Sequence, residues 1–132
     1  CAGIGIAQLE QLKDFLDKKR KIAHYYKEAF KASTYKFHEE AQNTVHSYWM
    51  CSILVDKPDL RDELRHFLGN AGIETRPLFY PVHTMPMYAV KFQRHNVAED
   101  LGWRGINLPS FPSLTTEELD YIIASILSFQ PK

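Results

Sequence analysis

Apolar residues recur at steps of three and four through the opening of the chain. Leu9, Leu12, Leu16, Ala23, Tyr26 and Phe30 fall on one face, and Lys13, Asp14, Asp17, Lys18, Lys21 and Lys27 on the other. That spacing predicts one long amphipathic helix over roughly 4–31. Residues 32–46 are polar and weakly patterned, with a short strand expected at Tyr35–Phe37. The run His46–Val55, HSYWMCSILV, is rich in aromatic and β-branched residues and too short for a typical helix, so it reads as a strand. Alternation sends Tyr48 and Met50 to one face and Trp49 and Cys51 to the other. Core packing accounts for most of these, and His46 is a candidate for a domain boundary.

Pro58 stands near the start of a helix whose apolar face is Leu60, Leu64, Phe67, Leu68 and Ala71, and Gly72 fits the position after its end, where φ above zero is needed. Ile73–Leu78 follows as a strand. Three prolines, Pro77, Pro81 and Pro86, then stiffen the stretch GIETRPLFYPVHTMPMY and are expected to hold Arg76, Tyr80, His83 and Tyr88 off regular elements. Asn96 is placed to cap a short helix over Val97–Trp103, closed by Gly105. Ile106–Leu108 reads as a brief strand stopped by Pro109 and Pro112. The last helix, Leu114–Phe129, opens on a capping-box pattern from Thr115 to Glu118 and carries the stripe Leu119, Ile122, Ile123, Ile126 and Leu127. The order of elements predicts an α+β fold in which a small, mainly antiparallel sheet packs against helices.

A length of 132 residues fits one domain, and 45% apolar with 24% charged residues is ordinary for a globular chain. Sixteen basic and sixteen acidic side chains cancel, leaving no bulk field for nucleic acid or an anionic membrane. The basic run Lys18–Lys21 has acidic neighbours and reads as a solvated helix face. Cys51, inside an apolar run, reads as a small buried hydrophobe in a reducing compartment. No apolar stretch reaches the roughly 18–20 residues that span a bilayer, and no signal-peptide pattern is visible. These features favour the cytoplasm. The start lacks an initiator Met and already looks helical, which fits a chain cut inside an element or a processed terminus.

The six histidines do not form metal-ligand spacings, and His24, His38, His66 and His95 sit among charged neighbours and are expected to be exposed. There is no nucleophile elbow and no glycine-rich phosphate loop. Glu39 and Glu40 read as a solvated pair. The loop is the remaining candidate. Arg76 offers a fork for carboxylate or phosphate, His83 donates, accepts or titrates near neutrality, and Tyr80 and Tyr88 present flat faces with a hydroxyl.

Four collinear segments resemble the C-terminal part of the pyridoxal-phosphate (PLP)-dependent sugar aminotransferases of the DegT/DnrJ/EryC1/StrS family. They are GIGIAQLEQL, SYWMCSILV, GIETRPLFYPVHTMPMY and VAEDLGWRGINLPSFPSLTTEELDYI, which together cover nearly the whole chain. YWM and FYPVHTMP look most like the perosamine-synthase subgroup, which aminates a GDP-linked 4-keto-6-deoxy hexose. The resemblance implies the small C-terminal domain of a fold-type-I aminotransferase serving surface-polysaccharide synthesis. Such an enzyme takes an amino group, usually from glutamate, and passes it to a nucleotide-linked keto sugar.

The resemblance also implies a Schiff-base lysine after a strand of an N-terminal domain, a context that none of this chain's lysines matches. Catalytic and cofactor-binding residues are therefore expected outside the chain, no metal site is expected, and no PLP is expected on the chain alone. By the same carry-over, His83, Tyr80 and Arg76 are the substrate-binding candidates. Arg76 has two readings, a contact to an anionic ligand or a buried ion pair holding the loop, and Tyr88 is read as packing. The parent is expected to be a homodimer. The chain by itself is expected to self-associate through surfaces that faced the missing domain. A stand-alone regulatory or protein-interaction module derived from the family is the alternative.

Overall fold

The computed structural model describes residues 2–89 and 91–131. Among them, helices α1 (Ala2–Glu10), α2 (Leu12–Phe30), α3 (Pro58–Asn70), α4 (Asn96–Arg104) and α5 (Thr116–Ser128) surround strands β1 (Lys36–Phe37), β2 (Cys51–Leu54), β3 (Arg76–Pro77) and β4 (Gly105–Leu108). The four strands form one sheet in the order β1-β2-β4-β3, with every neighbouring pair antiparallel. The fold is α+β, as the element order predicts.

Register decides which face is the core. Cys51 pairs with Leu108 and Ile53 with Ile106, so these four share a face, and all are buried. The core is completed by Tyr26 and Phe30 from α2, Leu64 and Leu68 from α3, and Leu119, Ile122 and Ile126 from α5. The opposite face carries Ser52, Asn107 and Arg76, partners in the same register. There Ser52 Oγ donates to Asn107 Oδ1 at 2.7 Å, and Asn107 Nδ2 donates to the Pro77 carbonyl at 3.3 Å.

Helix ends follow local chemistry. At α3 the Ile73 N–H reaches the Leu68 carbonyl and the Gly72 N–H reaches that of Gly69, with Gly72 at φ 76. This is a Schellman ending, and its apolar contact is supplied by buried Leu68 and Ile73. At α5 both halves of the Thr115–Glu118 capping box are formed. Asn96, by contrast, is the first residue of α4 rather than its cap. The cap position belongs to His95, whose N–H donates to the Glu99 carboxylate at 3.1 Å.

Three elements differ from their sequence-based expectation. The first helix divides at Gln11, whose side-chain Nε2 donates to the Ala7 carbonyl while its own N–H turns to that of Gln8. The side chain has taken the acceptor that a continuous helix would use. The strand expected over His46–Val55 begins only at Cys51. Arg20 takes the His46 carbonyl and Lys19 takes that of Trp49, so neither is left for a neighbouring strand. Tyr48 sits at φ 48, and this breaks the alternation, leaving both Tyr48 and Cys51 inside and Trp49 71% exposed. The strand over Ile73–Leu78 shrinks to Arg76–Pro77, because the Ile73 N–H already closes α3. Arg76 is thus in the sheet, and His83 lies in a 3-10 turn over Val82–Thr84.

The basic run on α2 is also not simply solvated. Lys19 Nζ donates to the carbonyls of Trp49 and Ser110 and to Ser110 Oγ at 2.8, 2.6 and 2.9 Å, and Arg20 pairs with Glu40 at 3.1 Å. These two cations tie α2 to the chain entering β2 and to the segment after β4.

Candidate functional site

The loop after β3 is held against α4 at a place where only glycine fits. A Cβ on Gly102 would lie 2.9 Å from Pro81 Cδ and 3.2 Å from the Phe79 carbonyl oxygen. Pro81 is buried there, and its carbonyl accepts from both the N–H and the Oγ1 of Thr84, fixing the turn that carries His83. Tyr80 packs edge-on against Trp103 of α4, with centroids 5.7 Å apart, and stays half-exposed. Phe79 lies over the indole of Trp49 at 6.5 Å.

His83 is the best-enclosed of the three candidates. Its Nε2 lies 3.0 Å from Glu99 Oε1, with 13% of the His83 side chain exposed. The ring of His95 meets it edge-on at 4.6 Å. The hydrogen bond from His83, aided by the His95 N–H, holds the Glu99 carboxyl below its ordinary pKa, so it is ionised at neutral pH.

The candidates do not converge. Arg76 pairs with Glu74 at 3.0 Å, with 79% of each side chain exposed, which rules out the buried ion pair. An ion pair this open contributes about 0–1 kcal/mol at most. Arg76 instead borders a cavity of about 700 Å³ between β4 and α5, whose lining includes Glu74, Asn107 and Tyr121 but neither Tyr80 nor His83. Tyr88 is exposed rather than packed.

A second cluster gathers around Tyr48. The ring of His38 stacks on those of His46 and Tyr48 at 5.2 and 5.4 Å and meets that of Phe37 at a 35° tilt, 4.6 Å away. His38 is therefore half-buried rather than exposed, and its Nε2 has no hydrogen-bond partner among the described residues. Burial, with His46 nearby, lowers its pKa from the ordinary 6.5. The fold thus favours the neutral ring. That stabilisation is fully present above pH 6.5 and is lost as pH falls through the lower folded value. The urea midpoint should drop between pH 7.5 and 5.5, and His38→Phe should flatten that drop; an equal drop in both would assign it to other groups. Cys51 is inert by the same logic, since burial pushes its thiol up to about 11.

The model of the DegT/DnrJ/EryC1/StrS aminotransferase family matches residues 1–127. The chain belongs to that family. Family relatives include the GDP-perosamine synthase of Escherichia coli O157:H7, 57% identical over 98% of this chain and 35% of its own length. The GDP-perosamine synthase of Vibrio cholerae is 39% identical over 98% and 36%. Among solved structures, a family aminotransferase from Brucella abortus superposes with a TM-score of 0.83 at 27% identity, covering 96% of this chain and 34% of that one. The aminotransferase TlmJ of Streptoalloteichus hindustanus has the same fold, with a TM-score of 0.87 at 22% identity over 95% and 34%. The chain spans about a third of the length of the family relatives it matches.

Two residues of this family member's loop environment escape a reading of the sequence. Glu99 and Trp103 lie 16 and 23 positions beyond the residues they meet. No local spacing links residues so far apart, and only the packing of α4 on the loop brings them together.

Proposed function

We propose that the chain is the C-terminal domain of a PLP-dependent aminotransferase that aminates a GDP-linked 4-keto-6-deoxy hexose for surface-polysaccharide synthesis in the cytoplasm. The observation that carries this reading is the 57% identity to a GDP-perosamine synthase over 98% of the chain. In this reading His83 and Tyr80 line the sugar-nucleotide side of an interdomain cleft, and Arg76, exposed at the edge of the sheet, contacts an anionic part of a ligand. Glutamate is the amino donor and the working enzyme is a homodimer. The stand-alone module is not favoured, because relatives at 57% and 39% identity are named as synthases.

The residues present do not fit a Schiff-base site, which supports a lysine outside the chain. Lys19 gives its ammonium protons to Trp49 and Ser110, Lys27 pairs with Glu39, and the other described lysines are exposed. When bound, PLP supplies the electron sink for amino transfer. This chain's part is to bind and orient the sugar nucleotide. Exposed Ile4, Ile6 and Leu9 on α1, with Trp49, Phe79 and Val82 near the loop, give the rest of the enzyme apolar surface to cover. Left uncovered, the same surface favours self-association of the chain alone.

The test is His83→Ala in the longer enzyme. Loss of one hydrogen bond to substrate should lower kcat/KM for the sugar nucleotide by about 10- to 100-fold. The cofactor absorbance should be unchanged. Wild-type kinetics would remove His83 from the site.

A further inference from the structure

His83 and Glu99 form a pair whose chemistry is more specific than contact alone. An ionised carboxylate only accepts hydrogen bonds, and Glu99 lies 3.0 Å from His83 Nε2. The proton must therefore sit on Nε2, and the lone pair of the neutral ring sits on Nδ1. No described residue hydrogen-bonds Nδ1. Glu99 is itself anchored, since it rides on α4 and also accepts the His95 N–H at 3.1 Å at the start of that helix. Arg94 adds positive charge beside the carboxylate. The helix, the carboxylate and the imidazole thus form one connected support.

We propose that Glu99 is the positioning residue of His83: it fixes the Nε2–H tautomer and leaves Nδ1 as the ring atom that accepts a hydrogen bond from a ligand hydroxyl. The ligand half of this inference rests on the sugar-nucleotide reading of the loop, while the tautomer half does not. A sugar presents hydroxyl donors and a pyrophosphate presents only acceptors, so an accepting Nδ1 assigns His83 to the sugar rather than the phosphates. Glu99 acts through His83 and touches no substrate itself, in the manner of carboxylates that orient histidines elsewhere.

Long-range 1H–15N correlation of the histidine rings in this chain, above the ordinary histidine pKa, tests the tautomer directly. His83 should show a protonated Nε2, with a slowly exchanging, downfield Nε2 proton. Glu99→Gln keeps an Oε1 that can accept from both His83 and the His95 N–H but removes the negative charge, and should move that proton signal upfield. A wild-type ring protonated on Nδ1, or a signal unshifted in E99Q, would overturn the assignment. In the longer enzyme E99Q should lower kcat/KM for the sugar nucleotide about tenfold. It should lower it no further once His83→Ala is present. An undiminished effect of E99Q in the His83→Ala background would show that Glu99 acts elsewhere. If His83→Ala alone has no kinetic effect, the hydroxyl contact falls together with the site reading, and the spectrum still decides the tautomer.

Discussion

Phe30→Ala should destabilise the chain by about 3–5 kcal/mol, the range for emptying an aromatic side chain from a closed core. Phe30 is 2% exposed at the last turn of α2. Its ring lies parallel to Tyr26 at 6.0 Å and meets Tyr35 edge-on at 5.8 Å. Tyr35 in turn donates its hydroxyl to the Ile126 carbonyl of α5, and Tyr26 donates to the Pro109 carbonyl beyond β4. Removing the ring therefore opens a cavity where α2, α5 and the edge of the sheet meet, and the neighbours are held by hydrogen bonds that prevent collapse into it. Equilibrium urea unfolding followed by far-UV circular dichroism measures the loss. A cost below about 1 kcal/mol would mean that the cluster relaxes freely.

Gly105→Ala should cost about 3 kcal/mol or more, at the upper end for an overpacked site. The residue has an ordinary extended conformation, φ −86 and ψ 140, so backbone strain is not the cause. The cause is space. An added Cβ would lie 1.8 Å from Leu78 Cδ1 and 2.6 Å from the Leu101 carbonyl oxygen. Leu78 can swing aside, but the carbonyl belongs to the last turn of α4 and moves only with the helix. Gly105 also holds the sheet together there, since its carbonyl accepts the Leu78 N–H at 3.0 Å and it pairs with Leu54. Gly69→Ala is the matched control, in a helix with open space among the described residues. It should stabilise by about 0.4–1 kcal/mol. Similar effects at the two sites in the same unfolding assay would overturn the steric account.

Much of the fold can be read from the sequence where the signal is periodic or local. The Leu119, Ile122, Ile123 and Ile126 stripe on α5, the Thr115–Glu118 box and the role of Gly72 are short-range features, and each forms as expected, whereas Leu127, expected in the same stripe, is 49% exposed. Strand boundaries fail wherever a distant side chain competes for the backbone. The strand reaching back to His46 is lost because Arg20 and Lys19, on a helix some thirty residues away, take its carbonyls. The candidate site divides in the same way. A proline-stiffened loop with His83 and Tyr80 is visible in one dimension, whereas the separation of Arg76 from them is not.

By itself, then, the sequence determined most of the helical periodicities, the ending of α3 and the cap of α5, the α+β class and the residues that carry the family likeness, because each is encoded within a few turns of chain. The tertiary structure alone decided that Arg76 pairs openly with Glu74, that Lys19 and Arg20 anchor the entry to β2, and that Glu99 meets His83. Glu74 and Arg76 are two positions apart, and the fold sets only their exposure. The last two outcomes depend on the close approach of α2 and α4 to segments 16 to 91 positions away, set by core packing and by the missing Cβ of Gly102 and Gly105. No local rule contains that information, because hydrogen bonding and packing act through space and not along the chain.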